Sequence, residues 1–131
     1  MAEDPIGVVD QFWAAFNARD HERALGLLDP EAELRPMRAQ LEGRAYIGHD
    51  GYRQLVADVE EDWENLQVVV EDRRAAGEDV TAITRLQGRG RVSGVDLDVP
   101  VGWHYVIREG TVVYGRAYSN PDDAVRAAGL E

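Results

Sequence analysis

Cysteine is absent from the 131 residues. That removes disulfides, thiolate metal sites and a cysteine nucleophile together. Histidine is scarce: His21, His49 and His104 are scattered, form no His-x-x-His and make no metal constellation. Bases are outnumbered, 14 against 25 acids, for a net charge of −11. Such a surface is repelled by phosphate backbones and anionic lipid unless its bases cluster. The densest basic run, Arg85, Arg89 and Arg91, is spread along a strand and is no nucleic-acid footprint. No apolar run approaches the ~20 residues that cross a bilayer. Met1-Ala2-Glu3-Asp4 is acidic, with neither a basic nor an apolar stretch, so no secretory signal is read there and a cytoplasmic home is expected. Internal repeats, low-complexity segments and linkers are also missing. The length fits one domain, 1–131, and no cofactor, nucleic acid or membrane is expected as a partner.

What is present centres on Asp79–Ser119. Three long runs, Val80–Val92, Val95–Arg108 and Thr111–Tyr118, are separated by Ser93-Gly94 and Glu109-Gly110, and read as an antiparallel meander with tight hairpins. Strands this long suggest a sheet that curls, its concave face walling a small-molecule pocket. Ahead of it, Asp4-Pro5 opens a helix whose Val9, Phe12, Trp13 and Phe16 repeat at i, i+3, i+4 and i+7. Asp20 caps a second helix, His21–Leu28, stopped by Asp29-Pro30. Ala32–Met37 reads as a short strand, with Glu33, Arg35 and Met37 on one side and Ala32 and Leu34 on the other. A loop over 38–48 leads to a third helix capped by Asp50, with a stripe of Tyr52, Leu55, Val56, Val59 and Trp63; its terminal Glu60-Glu61-Asp62 reads as solvated. Leu66–Arg73 is a strand, and Pro121 to about Ala128 a terminal helix ended by Gly129. The order α-α-β-α-β-β-β-β-α, with helices segregated from a mostly antiparallel sheet, means α+β.

Three stretches carry a resemblance: Val9–Asp29 (VDQFWAAFNARDHERALGLLD) with Pro30-Glu31-Ala32, Gly43-x4-Gly48 entering a helix, and Tyr118-Ser119-Asn120 before Ala124–Leu130. Together they resemble the SnoaL-like branch of the nuclear-transport-factor-2-like superfamily. The resemblance implies a cystatin-like cone: a curved sheet wrapped by N-terminal helices around a deep pocket, and a homodimer through the outer sheet face. It spans polyketide cyclases, ketosteroid isomerases, epoxide hydrolases, dehydratases and non-enzymes, so the fold leaves the chemistry open. Laid on the ketosteroid isomerase pattern, the donor and acid positions fall on Phe12, Arg35 and Trp103, and none fits. On the limonene-type epoxide hydrolase pattern, Arg85-Leu86-Gln87 keeps the Arg but has an amide for the carboxylate, and Ala117 stands for the last acid. Asn120 replaces the Asp often found before the terminal helix of SnoaL-type cyclases, and Asp96 and Asp98 read as a solvated edge.

The alternation set by these matches sends Glu33, Arg35 and Met37 inward, then Arg85 and Gln87, Trp103 and Tyr105, and Ala117. Trp13, Phe16, Tyr52 and Trp63 close the chamber from the helices. Glu33 is its one acid/base candidate, and Arg35 and Arg85 suit an anionic or carbonyl-bearing apolar ligand. Glu33 has a structural alternative, an ion pair with Arg35 or Arg85. The aromatic residues have another, as plain core. Leu86, His104, Val106, Val112, Tyr114, Arg116 and Tyr118 are assigned to the outer face, for which dimerisation is expected. His21 and His49 read as exposed. Three functions remain: an isomerase, cyclase or hydrolase on a carbonyl-bearing ring, a non-catalytic binding protein, and a dimeric association module.

Overall fold

A computed structural model describes residues 4–129; Met1–Glu3, used in the signal reading, and Leu130, used in the resemblance, lie outside the described residues. The elements are α1 (Pro5–Asn17), α2 (His21–Gly26), β1 (Leu28–Arg35), α3 (Met37–Leu41), β2 (Tyr46–Ile47), α4 (Gly48–Asp62), β3 (Trp63–Ala76), β4 (Asp79–Gly90), β5 (Asp96–Arg108), β6 (Thr111–Tyr118) and α5 (Pro121–Ala127). One six-stranded sheet runs β2-β1-β6-β5-β4-β3; β1 and β6 are parallel and every other pair antiparallel. The α+β architecture is therefore as expected, with two short elements added. α3 and β2 occupy what reads as a loop, because Pro36 opens a five-residue helix too short to show a period. Several boundaries also move. β1 takes Leu28 from the second helix, Met37 begins α3, and Trp63 begins β3.

Local chemistry explains the helix starts. Asp4 Oδ1 accepts from the Ile6 N–H and Asp20 Oδ1 from the Arg23 N–H, supplying partners for orphan donors at the starts of α1 and α2. Asp50 does not cap α4, whose N-cap is Ile47 with no side-chain bond. The end of α1 is tied to the sheet by one amide: Asn17 Nδ2 donates to the Val68 carbonyl at 2.8 Å while Oδ1 accepts from the Val68 N–H at 2.9 Å. Of the two tight hairpins expected, β5–β6 is one, with Glu109 (φ 52) and Gly110 (φ 77) both left-handed, the signature of a type I′ turn, whereas β4 ends at Gly90 and β5 begins at Asp96, so Ser93-Gly94 lies in a longer loop.

The sheet bends around α1 and α4. Register breaks lie between Leu28 and Glu33, between Glu64 and Gln67, between Val70 and Asp72, and between Val106 and Ile107, each a place where a strand can turn. Its concave face holds the buried core of Ala32, Leu34, Val68, Val80, Ala82, Val101, Trp103, Tyr105, Ile107, Val112 and Ala117 against Val8, Val9, Phe12, Trp13 and Phe16 of α1.

Two outer-face assignments are corrected by this packing. Val112 is fully buried on the inner face, because the irregularity at Val106/Ile107 pairs it with Ile107. Leu86 also faces inward, as described below. Nor is the convex face bare of helices. A Cβ at Gly102 would lie 2.6 Å from the Pro121 Cα and 3.0 Å from the Ala124 Cβ, so α5 rests on that face and needs a glycine beneath it. The acidic end of α4 is not simply solvated either. Glu60 pairs with Arg19 at 2.7 Å, and Asp62 with Arg38.

Candidate functional site

Between the concave sheet and the helices lies a cavity of about 510 Å³. Ligand pockets commonly measure about 300–1,000 Å³, whereas packed interiors hold few voids larger than a water molecule. α1 contributes Phe12, Trp13 and Phe16; α4 contributes Tyr52, Leu55, Asp58, Val59 and Asp62; α3 contributes Met37 and Arg38. The sheet adds Leu34, Val68, Leu86, Val101, Trp103, Tyr105 and Ala117, and Trp63 stands at the α4–β3 junction. Arg38, Asp62, Val99, Pro100 and Ser119 are the solvent-exposed members of the lining, so they mark the mouth, and the Arg38–Asp62 ion pair spans it from α3 to α4.

Of the site residues expected from sequence, Trp13, Phe16, Met37, Tyr52, Trp63, Trp103, Tyr105 and Ala117 are all in this wall. Glu33, Arg35, Arg85 and Gln87 are not. Strand parity decides it. Ala82 pairs with Trp103, Thr84 with Val101 and Leu86 with Val99, so even-numbered β4 residues share the cavity face and Arg85 and Gln87 point the other way. On β1, Ala32 and Leu34 are buried and take the inward places, while Glu33 and Arg35 lie opposite Tyr114 and Arg116 on the outer face. Burying the apolar pair avoids the desolvation of two charges. Arg35 Nε donates to Glu33 Oε2 at 2.5 Å with both side chains about a third exposed, which is the ion-pair alternative in a solvated form. A pair that exposed contributes little stability. Arg85 pairs with Asp98 at 2.7 Å, also on the outside. The ground for an anionic ligand therefore goes with Arg35 and Arg85, and Glu33 has no access to the cavity.

Sequence reasoning missed the polar groups that are in the wall. Asp58 Oδ2 accepts from the Tyr46 hydroxyl at 2.5 Å and Oδ1 from Gln54 Nε2 at 2.8 Å. These bonds, Tyr46 first, hold the Asp58 carboxyl below the usual carboxylate range. Arg44 donates to the Tyr46 oxygen at 3.0 Å and lies 4.6 Å over its ring. The signal was available: Leu55, Asp58, Val59 and Asp62 fall at i, i+3, i+4 and i+7, so two acids share the apolar stripe.

Trp13, Trp103 and Tyr105 form one aromatic unit. Trp103 stacks on Tyr105 with centroids 5.5 Å apart, and Trp13 meets them edge-on at 5.2 and 5.9 Å. Their Nε1, Nε1 and hydroxyl are buried with no hydrogen-bond partner among the described residues. Each such donor costs about 1–3 kcal/mol until an acceptor meets it. Burial also pushes the Tyr105 hydroxyl well above its ordinary pKa and that of Tyr52 up to about 12, so both phenols stay protonated. Tyr52 meets His21 Nδ1 at 3.0 Å, and His49 Nε2 meets the Leu28 carbonyl at 2.8 Å. These histidines are half-buried, not exposed. No group of three or more metal-ligating side chains occurs among the described residues, and no helix there is long and apolar enough to cross a membrane.

A search of curated proteins finds no match. Solved structures with the same fold include an NTF2-like protein from Burkholderia thailandensis E264, 19% identical over 98% of this chain and 99% of that one, with a TM-score of 0.80. TerC, co-crystallised with polyporic acid, is 16% identical over 95% of this chain and 96% of its own, with a TM-score of 0.79. A putative SnoaL-like polyketide cyclase from Jannaschia sp. CCS1 is 21% identical over 96% of this chain and 91% of that one, with a TM-score of 0.76. At these identities the likeness shows the fold: an α+β cone of the NTF2-like, cystatin-like kind. The sequence itself matches the family model for the SnoaL-like domain over residues 9–115, and the chain belongs to that family.

Proposed function

We propose that this chain, acting as a single SnoaL-like domain, binds a small, uncharged, largely apolar ring compound bearing a carbonyl inside the cone cavity. The carrying observation is a cavity of about 510 Å³ with a mostly aliphatic and aromatic wall, in which Trp13, Trp103 and Tyr105 each carry a donor without a partner among the described residues, closed off as the rings lie and presented to a ligand by a turn of the ring. A carbonyl oxygen brings acceptors and no donor, and the ring takes the aromatic surface. The polyporic acid co-crystal of the similarly folded TerC supports the reading in kind. An isomerase, cyclase or hydrolase acting through Glu33 is not supported, since that carboxylate lies on the far face paired with Arg35.

The test is a thermal-shift titration with benzophenone, a neutral two-ring ketone. At a hundred times its Kd, binding supplies about 2.7 kcal/mol and a rise of several degrees in Tm. If neither benzophenone nor other neutral ring ketones move the transition, the reading fails.

The outer face supports a second reading, a homodimer. Val106, Tyr114, Arg116 and Tyr118 share the face opposite Trp103, α5 covers one end of it, and Arg116 Nε is buried with no hydrogen-bond partner among the described residues. Light scattering at micromolar concentration is expected to give twice the 14.6 kDa of the chain; a monomer there rules this association out.

A further inference from the structure

We propose that Asp58 selects the ligand by accepting a hydrogen bond from a hydroxyl on it, so that the cavity prefers hydroxylated aromatic ketones to bare ones. This rests on the cavity being the ligand site and adds a second polar point to it.

Two carboxylates line the cavity, and they are in different situations. Asp62 is at the mouth and held by Arg38. The Asp58 side chain is 17% exposed and makes a looser ion pair, 3.6 Å from Arg44 Nη2. Tyr46 and Gln54 each take one lone pair, on different oxygens, and so fix the direction of the group. A carboxylate offers about four acceptor positions, so capacity remains for a further donor. Held below the usual carboxylate range, the group is ionised at neutral pH and accepts only.

The polarity of the cavity is thus divided. Donors with no partner among the described residues sit on α1 and β5, and an acceptor sits on α4. A bare ring ketone meets the first and leaves Asp58 facing apolar surface, which costs the carboxylate water it would otherwise keep. A ring ketone carrying a hydroxyl satisfies both, and a charge-assisted bond of this kind is among the stronger ones. A ligand with no donor is penalised, which is how a polar wall group discriminates.

The experiment titrates the tryptophan fluorescence of the full chain with 4-hydroxybenzophenone, benzophenone and 4-methoxybenzophenone. The hydroxyl compound is expected to bind at least about tenfold tighter than the other two, which differ little between themselves. Asp58→Asn is expected to reduce that preference to about twofold or less. Arg53→Ala, on the exposed side of the same helix and away from the cavity wall, should keep it. Equal affinity for benzophenone and 4-hydroxybenzophenone overturns the inference and leaves the cavity reading standing. So does a preference shared by the methoxy compound, which cannot donate, or one that survives Asp58→Asn. If Asp58→Asn does not fold, the methoxy comparison on the unaltered chain still decides. Binding of none of the three overturns the cavity reading and this inference with it.

Discussion

A tryptophan at position 117 is expected to raise the Kd for benzophenone at least about a hundredfold while the fold is kept. Ala117 lies on β6, is 1% exposed and pairs with Trp103, with its methyl group in the cavity wall. An indole projecting from there takes the volume a ligand needs and supplies the wall with contact partners it otherwise lacks. A hundredfold loss corresponds to about 2.7 kcal/mol. If the strand has to shift to admit the ring, overpacking costs about 1–3 kcal/mol, which a urea titration of the free protein would register. Leu86→Trp approaches the same space from β4 and guards against a purely local failure. Undiminished binding in both variants means the ligand sits elsewhere.

The second large effect falls on Gly48, where β2 passes into α4. Its φ is +68, and a Cβ built there would be 2.4 Å from the Pro30 carbonyl oxygen on β1. Gly48→Ala therefore combines left-handed strain of about 1–2 kcal/mol with a backbone collision that α4 can relieve only by moving off the sheet. A total loss of about 3 kcal/mol or more in a denaturant titration is expected. Gly43→Ala is the control: its φ is +69 but nothing lies within 4 Å of the added carbon, so it carries the strain alone. The difference between the two variants measures the close approach of α4 to β1. Equal losses would mean that the approach contributes nothing.

The helical stripe of α1, the Asp caps at 4 and 20, the β5–β6 turn and the terminal helix are legible in the sequence because each rests on local chemistry within one turn. Aromatic wall residues were legible for the same reason: Trp13 and Phe16, and Trp103 and Tyr105, keep their faces whatever the neighbouring strands do. Strand parity was not. Matching to the polar positions of other chemistries points Arg35 and Arg85 inward. The apolar alternatives beside them, Leu34 and Leu86, have the lower cost of burial and hold the inner places. Because strand residues alternate with period two, one misplaced residue inverts a whole strand, and Glu33 and Gln87 followed. Asp58 was overlooked for the opposite reason. A stripe defined by apolar residues hides a carboxylate at the same spacing, and its Tyr46 partner lies on a two-residue strand with no period to reveal it.

The central claim concerns where a ring ketone sits, and benzophenone reports its own position because light makes its carbonyl insert into neighbouring C–H bonds. Irradiation of the bound complex followed by residue-level mass spectrometry is expected to place the adducts on cavity-wall residues, Met37, Leu86, Val99 and Trp103 foremost, and to lose them in Ala117→Trp. Adducts on the outer face at Ile83, Tyr114 or Tyr118, unchanged by that substitution, would contradict the account.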